Sequence, residues 1–156
     1  MVNVGKNQAF WRKTLLKFAK KNICTESWLN MAYEWLDEYC LNKQGVIKDY
    51  QPEWQATRYF IGGKMFAMQG GDKNGKPIFT MKLEPLFGDY LRKQYKDIVP
   101  GYYMNKQHWN SLYLDGNVPD DVVRDMADKA YMAVLQTLTK KVQKEISGLD
   151  NEPSAK

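Results

Sequence analysis

T-R-Y-F-I-G-G-K-M-F-A-M-Q-G-G-D-K-N-G-K-P-I-F-T-M-K, from Thr57 to Lys82, carries the clearest structural pattern in the chain. It holds three short runs rich in aromatic and apolar residues: Thr57 to Phe60, Lys64 to Met68 and Pro77 to Lys82. Gly62-Gly63 and the turn sequence Gly70 to Gly75 divide them. Runs of this length between glycine-rich turns are strands, and connections this short join neighbours antiparallel. The stretch therefore predicts a three-stranded meander.

On both sides of it the hydrophobic period changes to that of a helix. Upstream, Trp11, Leu15, Phe18 and Ile23 recur at helical spacing, with Arg12, Lys13, Lys17, Lys20 and Lys21 over much of the rest, which predicts a basic amphipathic helix from about Gln8 to Asn22. A second helix is expected from Thr25 or Ser27, with Glu26 in its first turn. It carries Trp28, Met31, Ala32, Trp35, Leu36 and Tyr39 on one face and ends near Asn42 to Gly45. Downstream, a helix is read from Glu84 to Tyr95, stopped by Pro100-Gly101. Short strands follow at Tyr102 to Met104 and Trp109 to Leu114, with the turn Asp115-Gly116-Asn117 after them. One last helix starts after Pro119, with Asp120 and Asp121 complementing its dipole, and runs to about Ile146.

The order αα-βββ-α-ββ-α predicts an α+β fold: two layers, a mostly antiparallel sheet with helices on one face. The expected organisation is a basic helix over residues 1–24, a single domain over 25–146 and a polar tail over 147–156. At 156 residues one core is the natural reading. No apolar run approaches the roughly 20 residues that span a bilayer, and the N-terminus has no signal-peptide pattern. With only Cys24 and Cys40, read as buried free thiols, the expectation is a cytoplasmic protein.

Charge is unevenly spread. Residues 1–24 carry six cations and no acid, whereas the remainder holds 17 basic against 18 acidic residues. Within that remainder, residues 58–106 hold nine cations against four acids and are flanked by acidic stretches. Two basic regions are thus candidates for anion contact.

Catalytic chemistry needs a positioned nucleophile, base or metal, and the sequence offers little of it. His108 is the one histidine; no G-x-S-x-G, no phosphate-cradling G-x-x-x-x-G-K-[ST] and no H-x-x-x-H pair occurs. Asp120, Asp121, Asp125 and Asp128 read as solvated helix charges, and His108 as a structural hydrogen-bonding group. The expectation is a protein with no enzymatic activity, no cofactor and no bound metal.

A family resemblance runs through the same region. K-M-F-A-M (Lys64 to Met68), M-K-L-E-P (Met81 to Pro85) and L-R-K-Q-Y (Leu91 to Tyr95) contribute to it. Its strongest part is V-P-G-Y-Y-M-N-K-Q-H-W (Val99 to Trp109), followed by Y-L-D-G-N-V-P-D (Tyr113 to Asp120). The chain resembles the MmcQ/YjbR family of small bacterial proteins over most of residues 26–140. The resemblance implies a fold of the secretion-chaperone-like kind, and it implies DNA binding. Two departures stand out: Tyr103 occupies a place where the family often has histidine, and the basic helix of residues 1–24 lies outside the usual core.

The leading expectation is a binding protein that contacts DNA phosphates through a basic face. Its residues are Arg58, Lys64, Lys82, Arg92, Lys93, Lys96 and Lys106, with Asn105 and His108 adding hydrogen bonds and Arg12, Lys13, Lys17 and Lys20 forming a second footprint. The alternative is a protein or peptide interaction module using a sheet edge or an aromatic groove, in which Asn105 to Trp109 form a structural corner. A third role, lower in rank, lays the basic N-terminal helix on an anionic membrane surface.

Overall fold

The computed structural model describes residues 31–101 and 104–148. The expected helix at 8–22 and most of the tail, 149–156, lie outside the described residues. In chain order the elements are α1 (Leu36–Leu41), β1 (Val46–Gln51), β2 (Ala56–Ile61), β3 (Lys64–Gly71), β4 (Pro77–Lys82), α2 (Pro85–Gln94), β5 (Ile98–Pro100), β6 (Trp109–Tyr113), α3 (Asp120–Leu135) and α4 (Lys140–Gly148). The six strands form one sheet in the order β1-β2-β3-β4-β6-β5, antiparallel at every pairing. The α+β class and the open antiparallel sheet are as the sequence predicts.

The meander has four strands rather than three. β1 escapes the sequence pattern because Lys48 points to the helix side of the sheet, where an apolar residue would betray a strand. Asp37 of α1 makes that position tolerable by accepting bonds from Lys48 Nζ at 2.8 and 2.9 Å and from the Tyr59 hydroxyl at 2.5 Å. Between β2 and β3 the register slips after Tyr59, leaving Phe66 as an extra residue. The bulge turns Phe66 toward the helices, where its ring meets Tyr59 and Tyr131. Gly70 and Gly71, read as turn, are the last residues of β3.

Two helices and one strand differ from expectation. The second helix does not run through residues 31–35: the Ala32 N–H is held by the Leu114 carbonyl at 2.7 Å and the Tyr33 hydroxyl by that of Val118, so α1 starts only at Leu36. A strand the sequence pattern does not show lies at Ile98–Pro100; of the strand expected at 102–104, residues 102 and 103 lie outside the described part and Met104 is in a bend. Ile98 is buried against Leu112, and Pro100 fits an edge strand because its missing N–H faces no partner. The last helix is two. Thr137 bonds back to the Val134 carbonyl and Thr139 Oγ1 accepts the Val142 N–H, so local side-chain bonds end α3 and start α4.

The core lies between the sheet and α1, α2 and α3. Tyr59, Ile61, Phe79, Met81 and Leu112 from the strands meet Val123, Met126, Ala127, Ala130 and Val134 of α3. At roughly 1.5–3 kcal/mol for each large apolar side chain removed from water, this layer supplies most of the driving force for folding. α2 lies over β5 and β6, and close approach is possible because residue 88 is glycine: a Cβ there would stand 2.7 Å from the Asn110 side chain. α4 closes one end of the sheet, with Leu138 against Gly62 and Ile146 against Gly45.

Candidate functional site

The strand register places each sequence-derived candidate. One end of the sheet carries the β2–β3 and β4–α2 connections, the start of β6 and the whole of α4. There β3 begins at Lys64, β4 ends at Lys82 opposite Trp109, and the 104–108 turn leads into β6. Lys64 Nζ donates to Thr137 Oγ1 at 3.2 Å, which ties the α3–α4 connection to the same end. Lys64, Lys82 and Lys106 therefore gather there, with Asn105 and His108 beside them.

The other four do not join them, and a single continuous face running through all seven cations does not form. Arg58, in the middle of β2, makes a bidentate pair with Asp49 at 2.8 and 2.6 Å and lies over the Trp54 and Phe60 rings. Its hydrogen bonds hold the Asp49 carboxyl below the usual carboxylate range. Lys93 pairs with Asp89 one turn back on α2 at 2.9 Å, which lowers the Asp89 pKa in the same way. Arg92 donates to the buried Asn110 Oδ1 and so fastens α2 to β6. Lys96 lies in the turn between α2 and β5, at the far end of the sheet. Arg12, Lys13, Lys17 and Lys20 lie outside the described residues.

Asn105 and His108 form a corner. Asn105 Oδ1 accepts the Gln107 N–H at 2.9 Å, its carbonyl accepts the Trp109 N–H at 2.9 Å, and the His108 carbonyl accepts the Leu83 N–H at 2.6 Å. The Asn105 side chain is thereby committed to the turn. His108 contributes through its backbone, while its ring is half-exposed and makes no hydrogen bond among the described residues.

α4 brings cations that the sequence reading passed over. Thr139 caps it, Ile146 buries one face, and Lys140, Lys141 and Lys144 are exposed. The available signal was K-K-V-Q-K ahead of Ile146, a helix-spaced lysine set opposite an apolar anchor. With Lys64, Lys82 and Lys106 they make six lysines at this end, against Glu84 and Glu145, and none of the six is in an ion pair among the described residues. At the opposite end, Glu53, Asp72, Asp97, Asp115, Asp120 and Asp121 outnumber Lys73, Lys76 and Lys96. Charge is thus separated along the strand direction.

Other chemistry is sparse. Burial pushes the Cys40 thiol up to about 12, so the thiolate that would act as a nucleophile is absent near neutrality. Among the described residues no group of three His, Cys, Asp or Glu side chains is placed to hold a metal ion, and no helix is long and apolar enough to cross a membrane.

Comparison with known proteins fits this architecture. The YjbR family model matches residues 41–133. The chain is 31% identical over 107 residues to the uncharacterized protein YjbR of Escherichia coli (strain K12), covering 69% of this chain and 90% of that one. This chain belongs to the YjbR family. A second relative, the uncharacterized protein YbdF of Escherichia coli O157:H7, is 32% identical over 97 residues, which is 62% of this chain and 77% of that protein. The fold is shared with the crystal structure of the Deinococcus radiodurans protein DR2400 at a TM-score of 0.66 and 23% identity, over 76% of this chain and 89% of that one. A Pseudomonas syringae crystal structure matches at a TM-score of 0.53 and 21% identity, over 65% and 97%. The family match ends at residue 133, so α4 and its lysines lie beyond the YjbR model.

Proposed function

We propose that this chain is a non-enzymatic binding protein of the cytoplasm that holds DNA by its phosphates, using the basic end of the sheet. One observation carries the reading: Lys64, Lys82, Lys106, Lys140, Lys141 and Lys144 converge there without carboxylate partners among the described residues. Cations left unpaired on a protein surface are the ones able to neutralise phosphates and release counterions. Arg58 and Lys93, each matched by its own aspartate, have less to offer a polyanion. The contact is to backbone phosphate and carries no sequence preference of its own.

The test is fluorescence anisotropy with random duplex and single-stranded DNA at several salt concentrations. Log affinity should fall linearly with log salt. Lys64→Glu/Lys141→Glu/Lys144→Glu should weaken binding about tenfold or more and flatten the slope, by about one per lysine lost from a phosphate. Lys93→Glu is the control and should leave both nearly unchanged. Equal effects from the triple variant and the control would refute the basic end as the site.

A second reading, a protein or peptide interaction module, is favoured by the β1 edge. β1 pairs only with β2 and exposes Ile47 at 67%, with Trp54 in the following turn at 57%, whereas the opposite edge is a three-residue strand ending in proline. Binding by that edge would be nearly indifferent to salt and would survive the triple charge reversal.

A further inference from the structure

The sheet face turned away from α1, α2 and α3 holds a row running Arg58, Met68, Thr80, Ser111, Val99, with Ile78 and Tyr113 paired beside it. Its centre is dry: Ile78 is 3% exposed, Thr80 and Ser111 1% each, and Trp109 9%. Thr80 and Ser111 share a hydrogen bond of 2.7 Å, which satisfies the two hydroxyls where water does not reach.

The described helices do not account for this burial. Asp37 of α1 meets Lys48 and Tyr59, Gly88 of α2 meets Asn110, and Tyr131 of α3 meets Phe66, all on the other face. α4 lies across the end of the sheet against Gly45 and Gly62. A two-layer fold thus has a second sheet face that needs a cover.

Chain order supplies one. The Ala32 N–H donates to the Leu114 carbonyl, so residue 32 is fixed just beyond the end of β6, and the thirty residues before Met31 join the fold at that point. Their sequence has the chemistry the face asks for, with Trp11, Leu15 and Phe18 at helical spacing and cations between them. Fifteen residues at helical rise reach about 22 Å, longer than the roughly 13 Å of a four-residue strip. We propose that residues 8–22 of this chain seat on the strip formed by Ile78, Thr80, Ser111 and Trp109 through Trp11, Leu15 and Phe18. The face is then an intramolecular docking surface, occupied by a segment outside the residues that the family model matches.

This inference is independent of phosphate binding and is tested without DNA. In the 156-residue chain carrying Cys24→Ser and Met68→Cys, Trp11→Cys, Leu15→Cys and Phe18→Cys are introduced one at a time and oxidised gently. At least one should give a disulfide within a single chain, while the same set against Met132→Cys, on the outer helical layer, should give none. Bonds found only between two chains would assign the face to a second copy, and none to Met68→Cys would leave it to another partner; either result overturns the proposal. A second measurement uses the native methionines. In Leu15→Asp/Phe18→Asp, peroxide should oxidise Met68 about threefold faster or more relative to Met132, with buried Met126 still protected to show that the fold is intact. An unchanged ratio with Met126 protected overturns the seat, and loss of Met126 protection overturns the premise that residues 8–22 add a cover to an already folded core.

Discussion

At the scale of residues, adjacent glycines in the β2–β3 turn have different duties. Gly62 and Gly63 both have positive φ, at +55 and +79. A Cβ on Gly62 would stand 2.6 Å from Leu138, whereas one on Gly63 meets nothing within 4 Å. Gly63→Ala should therefore cost only the backbone term, about 1 kcal/mol, while Gly62→Ala should cost about 2 kcal/mol or more because Leu138 must also move. Urea unfolding midpoints of the two variants check the difference. Cys40 gives a pH prediction. Burial raises its folded pKa to about 12 from 9.0, and burial likewise raises those of Tyr59, Tyr33, Tyr39 and Tyr113. A raised folded pKa means the unfolded chain loses the proton first, so the stabilisation is complete below pH 9 and drains away as pH climbs toward 12. The urea midpoint should be flat through neutrality and fall above about pH 9, and Cys40→Ala should make that fall shallower.

At the scale of elements, α4 is anchored by little. Ile146 is its one buried residue, packed on Gly45, with Leu138 just ahead of the helix on Gly62. Ile146→Ala should cost about 2 kcal/mol. If α4 detaches as a unit, amide exchange should rise across 140–148 while α3 stays protected. Since Lys140, Lys141 and Lys144 ride on this helix, the variant should also weaken DNA binding under the proposed function, though none of the three is altered. β1 and β5 show how an element's legibility depends on where it lies. β5 is three residues long and extends only because Ile98 and Pro100 line up on β6. β1 has a charged residue on its core side, acceptable because Asp37 waits opposite. In neither does the segment alone contain the reason for its conformation.

At the scale of the whole molecule, the decisive feature is the separation of charge between the two ends of the sheet. Adding salt should weaken polyanion binding without lowering the unfolding midpoint much, because the six lysines of the basic end are in no ion pair among the described residues. The class of the fold and its strongest elements were legible in the residues alone. Period-two runs between Gly62-Gly63 and Gly70 to Gly75, and period-three-to-four runs over Leu86 to Leu91 and Val123 to Leu135, depend on local burial that neighbouring residues report. The sequence also supplied the family, since the N-K-x-H-W corner ahead of the L-D-G turn is a local arrangement whose backbone bonds the structure contains. Which cations stand together depends on the folded arrangement. Position along the chain says nothing about which end of a strand a lysine occupies, or whether Asp49 will be folded against Arg58. Lys64 and Lys141 are distant in sequence yet share an end of the sheet because α3 runs its full length and returns the chain to the β2–β3 turn. Electrostatic sites are long-range in sequence and short-range in space, so strand order and helix direction had to be known before this one could be drawn.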